Sequence, residues 1–469
     1  MTPFARSLML FAAVSHLPLP VHATSPPDAA KTSGRRMDEA GITVTQREIE
    51  AGSLSLRELQ RQGLLVFSVQ FNAADGYGDG PADAVDRLKM GGRTTLQGNG
   101  TFLRVHGLDG QSCLECHSIL SNASTPPVFG IGGVGGSASN ALVSGGKMDA
   151  TARDADFVGR FINPPFLFGA GRVELLANEM TADLQALKRM ARNDPGDRVE
   201  LQTKGVDFGE ILFEDGAYDY SRVEGIDHDL VVRPFGRKGE FPTLRSFDLA
   251  ALQFHFGMQP SEVVGANTDE DRDGVAPEIG PGPISALEIF LATLPPPEQT
   301  DVDHDDVEEG FKRFENFGCA DCHRPSLRTN GTTLGFRFPE VPEDPDENVF
   351  YEVSLGGQKK RLSRMRVPLF ADLKRHDMGP ALAENFQPDH DRFFTTARLW
   401  GVADTAPYLH DGRALTLDAA IRMHGGEAQD ARDRYVKANR EKQAAVILFL
   451  KSLRIPLERV NAHNDELLR

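Results

Sequence analysis

Two short stretches decide how this chain is read: Cys113-Leu-Glu-Cys116-His117 and Cys319-Ala-Asp-Cys322-His323. Together they use all four cysteines of a 469-residue sequence. The spacing has a chemical reason. Two thiols on one turn can add across the vinyl groups of a single haem edge, and the adjacent imidazole then reaches the iron. Two other readings compete for the same residues: a structural zinc centre built from both pairs, and a disulfide within each pair. Neither explains why a histidine follows each pair directly. Two covalently bound haem c groups are therefore expected, with His117 on one iron and His323 on the other.

Moving outward, the same order of elements occurs twice. Val307-Glu-Glu-Gly-Phe311-Lys-Arg-Phe314 has helical apolar spacing just before the second motif, and Ala444 to Leu453 closes the chain with an apolar helix near Pro456. In the first half, Ile284 to Leu294 forms a similar run that stops at Pro295-Pro296-Pro297. The segments 289–294 (IFLATL) and 448–453 (LFLKSL) hold equivalent places. This order predicts a mainly α fold of two cytochrome c-like haem domains with long loops and insertions. Residues 41–298 and 299–469 are the expected domains, divided in a proline-rich, acidic linker. The content of 46 Gly and 29 Pro fits a loop-rich chain.

The N-terminus suggests export. Arg6 precedes an apolar stretch from Leu8 to Val21, broken by Pro18 and Pro20, and Val21-His22-Ala23 suits signal-peptidase cleavage. Residues 1–23 read as a Sec-type signal peptide and 24–40 as a flexible leader. The alternative, a short membrane anchor, meets a run too short and too proline-broken to span a bilayer. The expected location is the periplasm, with no integral membrane segment after signal removal. Lys and Arg number 51 against 68 Asp and Glu, a formal net charge of −17. That balance argues against nucleic-acid binding and suits small cations or a basic protein partner; the expected electron donor is a small redox protein or another donor.

Four further segments carry a family resemblance. The C-terminal run Arg398-Leu-Trp400-Gly-Val-Ala-Asp-Thr-Ala-Pro-Tyr408-Leu-His410-Asp-Gly-Arg413 continues to Met423-His424-Gly-Gly-Glu427. It resembles the signature of the bacterial di-haem cytochrome c peroxidase superfamily, and above all the branch of di-haem oxidoreductases or putative peroxidases, also labelled thiol oxidoreductases. Asn163-Pro-Pro-Phe-Leu-Phe168-Gly-Ala-Gly171-Arg-Val-Glu174, Phe235-Gly-Arg-Lys238 through Leu244-Arg245, and His376-Asp-Met378-Gly-Pro are similar to the same branch. The resemblance spans roughly residues 60–455. It implies that the second haem's distal ligand closes the pattern TL-x-x-A-x-x-x-ligand, a position held here by His424, with Met423 and Met378 as alternatives. The superfamily more often uses Met there, so a His implies a lower potential. It implies a distal acid at Glu174, for moving protons during peroxide cleavage. Trp400 is read either as an electron relay or as core filling. His410 is expected to be held by its turn or by a propionate, and Arg413 to pair with a propionate or stand solvated.

For the first haem, the run 127–146 contains no His, Cys or Met. The first iron is therefore expected to lack a strong sixth ligand and to be the reactive site, unless His255, Met258 or Met148 reaches it. Asp269, Asp271, Asp273 and Gly274 resemble the start of a calcium loop, with Glu278 closer than an EF-hand requires. The resulting expectation is an oxidoreductase that takes electrons at the C-terminal haem and passes them to the N-terminal one, which reduces peroxide or oxidises a small-molecule substrate. Two alternatives stay open: a non-catalytic electron-transfer cytochrome, and a di-haem oxygenase or protein-modifying enzyme of the same superfamily.

Overall fold

One crossing of two helices is built twice in this protein. The computed structural model describes residues 36–78, 111–117, 163–165, 167–356, 363–384, 391–456, 458 and 466–467, and the backbone of strands Phe102–Arg104, Leu142–Asp149 and Asp154–Phe161. The expected signal peptide, the leader up to residue 35 and most of the glycine-rich run 127–146 lie outside the described residues. The helices are α1 (Gln46–Glu50), α2 (Leu56–Ser68), α3 (Ala170–Asn193), α4 (Leu244–Phe256), α5 (Ser261–Val264), α6 (Pro281–Ala292), α7 (Asp305–Asn316), α8 (Leu417–Met423), α9 (Gln429–Lys437) and α10 (Arg440–Ser452).

Local sequence explains where the crossing helices begin. Ser55 and Glu58 form a capping box at the start of α2, each side chain serving the other's backbone N–H. Gly280 and Pro281 open α6, Asn439 caps α10, and three acids stand in the first turn of α7.

Glycine then sets how closely the pairs approach. A Cβ at Gly63 of α2 would lie 2.1 Å from the Ala286 carbonyl of α6, and one at Gly310 of α7 would lie 2.1 Å from the Ala445 carbonyl of α10. Only hydrogen fits at either place. One turn beyond each glycine a phenylalanine meets a phenylalanine of the partner helix. Phe67 and Phe290 have ring centroids 6.0 Å apart, and Phe314 and Phe449 5.3 Å. The matching IFLATL and LFLKSL segments are thus the same face of the same crossing.

Both CxxCH motifs follow on short 3-10 turns, Cys113–Glu115 and Cys319–Asp321. The His117 N–H donates to the Cys113 carbonyl at 2.9 Å, and the His323 N–H to the Cys319 carbonyl at 3.0 Å. The approach differs between halves. Phe314 is five residues before Cys319, whereas Phe67 is 46 before Cys113. The Phe71 N–H donates to the Gln111 carbonyl at 2.9 Å, so the ends of the extra segment meet beside the motif.

The expectation of a mainly α fold is corrected to a mixed one. Fourteen short strands in six small sheets stand among the described residues. The clearest is an antiparallel meander of Arg198–Thr203, Val206–Glu214 and Ala217–Val223. Its first strand alternates exposed and buried along Arg198-Val-Glu-Leu-Gln-Thr203, the period of a half-buried strand. Insertions read from the sequence as loops are therefore partly β.

Gly34–Arg469 forms one compact unit. Its larger apolar cluster joins α2, α3 and α6 to Leu327, Phe336, Val367, Leu369, Trp400 and Ile455 of the second half. A smaller cluster surrounds Phe314, Phe370, Tyr435 and Phe449. No described helix is long and apolar enough to cross a membrane.

Candidate haem-binding sites

In the second half two imidazoles face each other across a gap. The ring centroids of His323 and His424 are 6.3 Å apart. Their Nδ1 atoms are occupied elsewhere, 3.2 Å from the Phe370 carbonyl for His323 and 2.8 Å from the Ala420 carbonyl for His424. The Ala397 carbonyl also bears on the His323 ring, and with each Nδ1 on a carbonyl, Nε2 is the nitrogen through which either ring would meet a ligand. Two metal–nitrogen bonds of about 2 Å plus two ring radii of about 1 Å span roughly the observed separation. Burial, aided by His424, pushes His323 down to about 4, and burial likewise lowers His424. Both rings are neutral with a lone pair to give. These residues fit a six-coordinate haem iron. Met423 is exposed and does not compete.

The sulfurs fit the same group. No disulfide joins them. Burial, then the charge of Asp248, pushes the Cys113 thiol far up, and burial raises Cys319 to about 11. Zinc would need thiolates. Among the described residues no metal-ligating group combines cysteines of both motifs.

The first half repeats this plan with a change. Burial and the nearby charge of His255 push His117 down to about 4, against the Pro165 carbonyl that faces it. Nδ1 of His117 is buried without a formed hydrogen bond. His255 sits in the last turn of α4, a helix capped by Thr243, as His424 follows α8, capped by Thr416. Twelve residues separate cap from histidine in one and eight in the other, a difference of about one helical turn. The C-terminal end of α4 reaches the motif through Phe256, which packs on Phe71 at 5.4 Å. His255, the histidine named from the sequence as the alternative sixth ligand, is thus near enough to His117 for its charge to be felt there. It arrives from α4 and not from the loop after the motif. Met258 is buried in the apolar core, and Met148 is described in its backbone alone.

Trp400 packs against Gly169, at the start of α3. Only 2% of it is exposed, and a Cβ on Gly169 would come within 2.7 Å of its ring. Its neighbour Leu399 donates its N–H to Leu369 at 3.1 Å, next to the Phe370 carbonyl that holds His323. Gly169 belongs to the stretch whose Pro165 carbonyl faces His117. The indole N–H has no partner.

His410 is held by residues outside its turn. It stacks on Phe394 at 4.5 Å, its carbonyl accepts from the Asn163 N–H at 2.8 Å, and burial lowers it to about 4. Arg413 binds Asp411 and the Ala381 carbonyl.

Glu174 is not free to face an iron. It is fully buried, accepts from the Leu244 N–H at 2.9 Å and pairs with Arg337 at 3.3 Å. Asp248, one turn inside α4, is the carboxylate whose field reaches Cys113, and the sequence reading did not single it out. His376 was also missed. Its ring lies between Asp372 at 2.9 Å and Glu427 at 2.7 Å. Burial alone would lower it, but hydrogen bonds to Asp372 and the Cys322 sulfur hold it up at about 11. Met378 contributes its backbone, which donates to the Arg392 carbonyl.

Carboxylate oxygens of Asp269, Asp271 and Asp273 converge within 4.8 Å. Glu278 is tied to this group through Gln259, whose backbone N–H donates to Glu278 at 2.6 Å and whose side-chain amide donates to both Glu278 and Asp271.

Residues 270–453 match the family model described as di-haem oxidoreductase, putative peroxidase. It is the family the sequence resembles, and the match supports a di-haem redox role with oxidoreductase activity. No curated protein matches the chain. Among solved structures, hydrazine synthase of Kuenenia stuttgartiensis, pressurised with xenon, is 15% identical with a TM-score of 0.36, over 94% of this chain and all of that one. A MauG-like protein associated with microbial copper homeostasis is 16% identical with a TM-score of 0.29, over 61% of this chain and 89% of that one. Scores this low leave the argument to the chain's own residues.

Proposed function

We propose that the protein is a periplasmic, peroxidase-like di-haem c-type oxidoreductase. Electrons enter at the C-terminal haem, on His323 and His424, and reach a reactive N-terminal haem on His117. The observation behind this reading is the 6.3 Å separation of His323 and His424, with each Nδ1 held by a carbonyl. Haem iron, when bound, supplies one-electron transfer and the cleavage of peroxide.

The chain's own residues do the rest. The four cysteines fix the groups covalently as thioethers. His255 serves as a displaceable partner opposite His117, so a small substrate enters only when that histidine is withdrawn. Trp400 bridges the two proximal sides as electron relay. The acidic surface favours a small basic redox protein as donor. The triad of Asp269, Asp271 and Asp273 holds calcium. Residues 1–23 direct export.

Optical and EPR spectra of the ferric protein test this assignment, followed by peroxide addition to protein carrying one electron. His424→Ala removes the low-spin signal of one haem and His255→Ala that of the other, and the His255→Ala protein consumes peroxide faster. Two low-spin haems inert to peroxide in every variant would leave the non-catalytic electron-transfer reading.

A further inference from the structure

A cluster of buried acids lies where α3, α4, α5, α6 and the stretch 337–340 meet. Glu174 comes from α3, Asp248 from α4, Glu262 from α5, Glu288 from α6, and Glu340 follows the strand that carries Arg337. Two cations answer these five acids. Arg245, fully buried, donates to both Glu262 oxygens at 2.9 and 3.0 Å and to Glu288 at 3.3 Å. Arg337 reaches Glu174 at 3.3 Å. Three carboxylate oxygens of this cluster are buried with no hydrogen-bond partner among the described residues: Oδ2 of Asp248, Oε1 of Glu288 and Oε1 of Glu340.

Fully ionised, the cluster would hold five negative charges against two positive ones. Uncompensated buried carboxylates are so costly that they take up protons instead. A protonated carboxyl also supplies the O–H donor that an orphaned oxygen lacks. Among the described residues these acids do not converge as metal ligands do. Protons are therefore the fitting counter-charge.

The cluster has two ends. Asp248 bears on Cys113 at the first haem turn. Glu340, half-buried and hydrogen-bonded by Thr243 at 2.9 Å, borders a cavity of about 10 Å³ beside Asn178 and Pro342. That is close to the room one water needs.

We propose that Glu174, Asp248, Glu288 and Glu340 form a proton store, filled from the cavity at Glu340 and exchanging a proton at Asp248 when the charge at the first haem changes. The balance is simple: one electron arriving from the donor at the first haem is matched by one solvent proton bound to a carboxylate of the store, and oxidation releases it. Burial supports the assignment, since it raises Asp248 and Glu288 well above the carboxylate range. It also raises Glu340, and lifts Glu174 to about 7 against Arg337. The direction of use rests on the reading of the first haem as the reactive one.

Infrared spectra of the holoprotein at pH 7, in H2O and D2O, test the store, together with the midpoint potential of the first haem against pH. The expected result is a carbonyl-stretch absorption of protonated carboxyls that shifts in D2O and loses intensity in Asp248→Asn and in Glu340→Gln. The pH slope of the potential should fall at least twofold in Asp248→Asn. Glu340→Gln leaves both arginine pairs intact and so serves if Asp248→Asn does not fold. Absence of the carboxyl absorption, or its persistence unchanged in both variants, overturns the store. A protein that shows the absorption but never reacts with peroxide keeps the store and loses the peroxidase reading.

Discussion

The two halves share a skeleton and differ in what surrounds it. Each has a glycine-mediated helix crossing, a CxxCH turn, and a threonine-capped helix whose C-terminal end carries a second histidine near the first. In the second half the motif follows its helix within five residues, and the charged neighbour of the site is His376, held between Asp372 and Glu427. In the first half the approach is 46 residues long, and the neighbours are buried acids reached through α4. The shared parts hold a cofactor. The divergent parts set which charges move when that cofactor changes state, and this is where two sites on one scaffold acquire different work.

The strongest way to break the comparison is at the crossings. Gly63→Ala and Gly310→Ala each place a methyl group 2.1 Å from a helix carbonyl. Overpacking of this kind costs about 1–3 kcal/mol and at times more, and a backbone atom cannot step aside cheaply. Thermal melting should show a similar loss, near the top of that range, in both variants. A large loss in one and none in the other would mean that the crossings are not equivalent.

A smaller effect sharpens the contrast in buried acid. Glu174 is raised from 4.5 to about 7 by burial, with Arg337 opposing. The folded state then binds its proton more tightly than the unfolded chain does. Its contribution to stability is full below about 4.5 and is lost as the pH rises through about 7. Denaturant midpoints measured across that window should fall less steeply with pH in Glu174→Gln than in the parent. Equal slopes would show that Glu174 is ionised throughout.

The least effect concerns a loop with no counterpart in the second half. If Asp269, Asp271 and Asp273 hold calcium, chelation should lower the melting temperature by a few degrees, following the usual linkage of ligand to fold. Asp271→Asn should abolish the difference. A melting curve indifferent to chelator in the parent would empty the site.

The residues that were legible in the sequence are those whose chemistry is local. CxxCH needs its five residues in a row, and the matching apolar segments 289–294 and 448–453 each lie in one helix. The other side of the first crossing escaped notice because the long approach separates Gly63 and Phe67 from Cys113, while in the second half the same pattern abuts the motif. His255 could be named only as one of three alternatives, since no short-range rule ties it to a cysteine pair 139 residues earlier. The strands went unread because runs such as Arg198–Thr203 are short and carry only two apolar residues. One signal for the acid cluster was available: Glu288 interrupts the apolar run of α6, and a charge there at 0% exposure requires an answering group.

The shared apolar cluster bears on how the protein comes apart. Leu369, Trp400 and Ile455 of the second half pack in the same cluster as Phe168, Leu176 and Phe290 of the first, and Arg337 answers Glu174 across the same region. Pulling the halves apart would bare that surface and strand a buried charge at once. Folding free energy is therefore held in common, and a single cooperative melting step is the expected outcome in calorimetry although the sequence repeats. A fault introduced beside one metal site is felt as lost stability at the other, so the two centres share one lifetime.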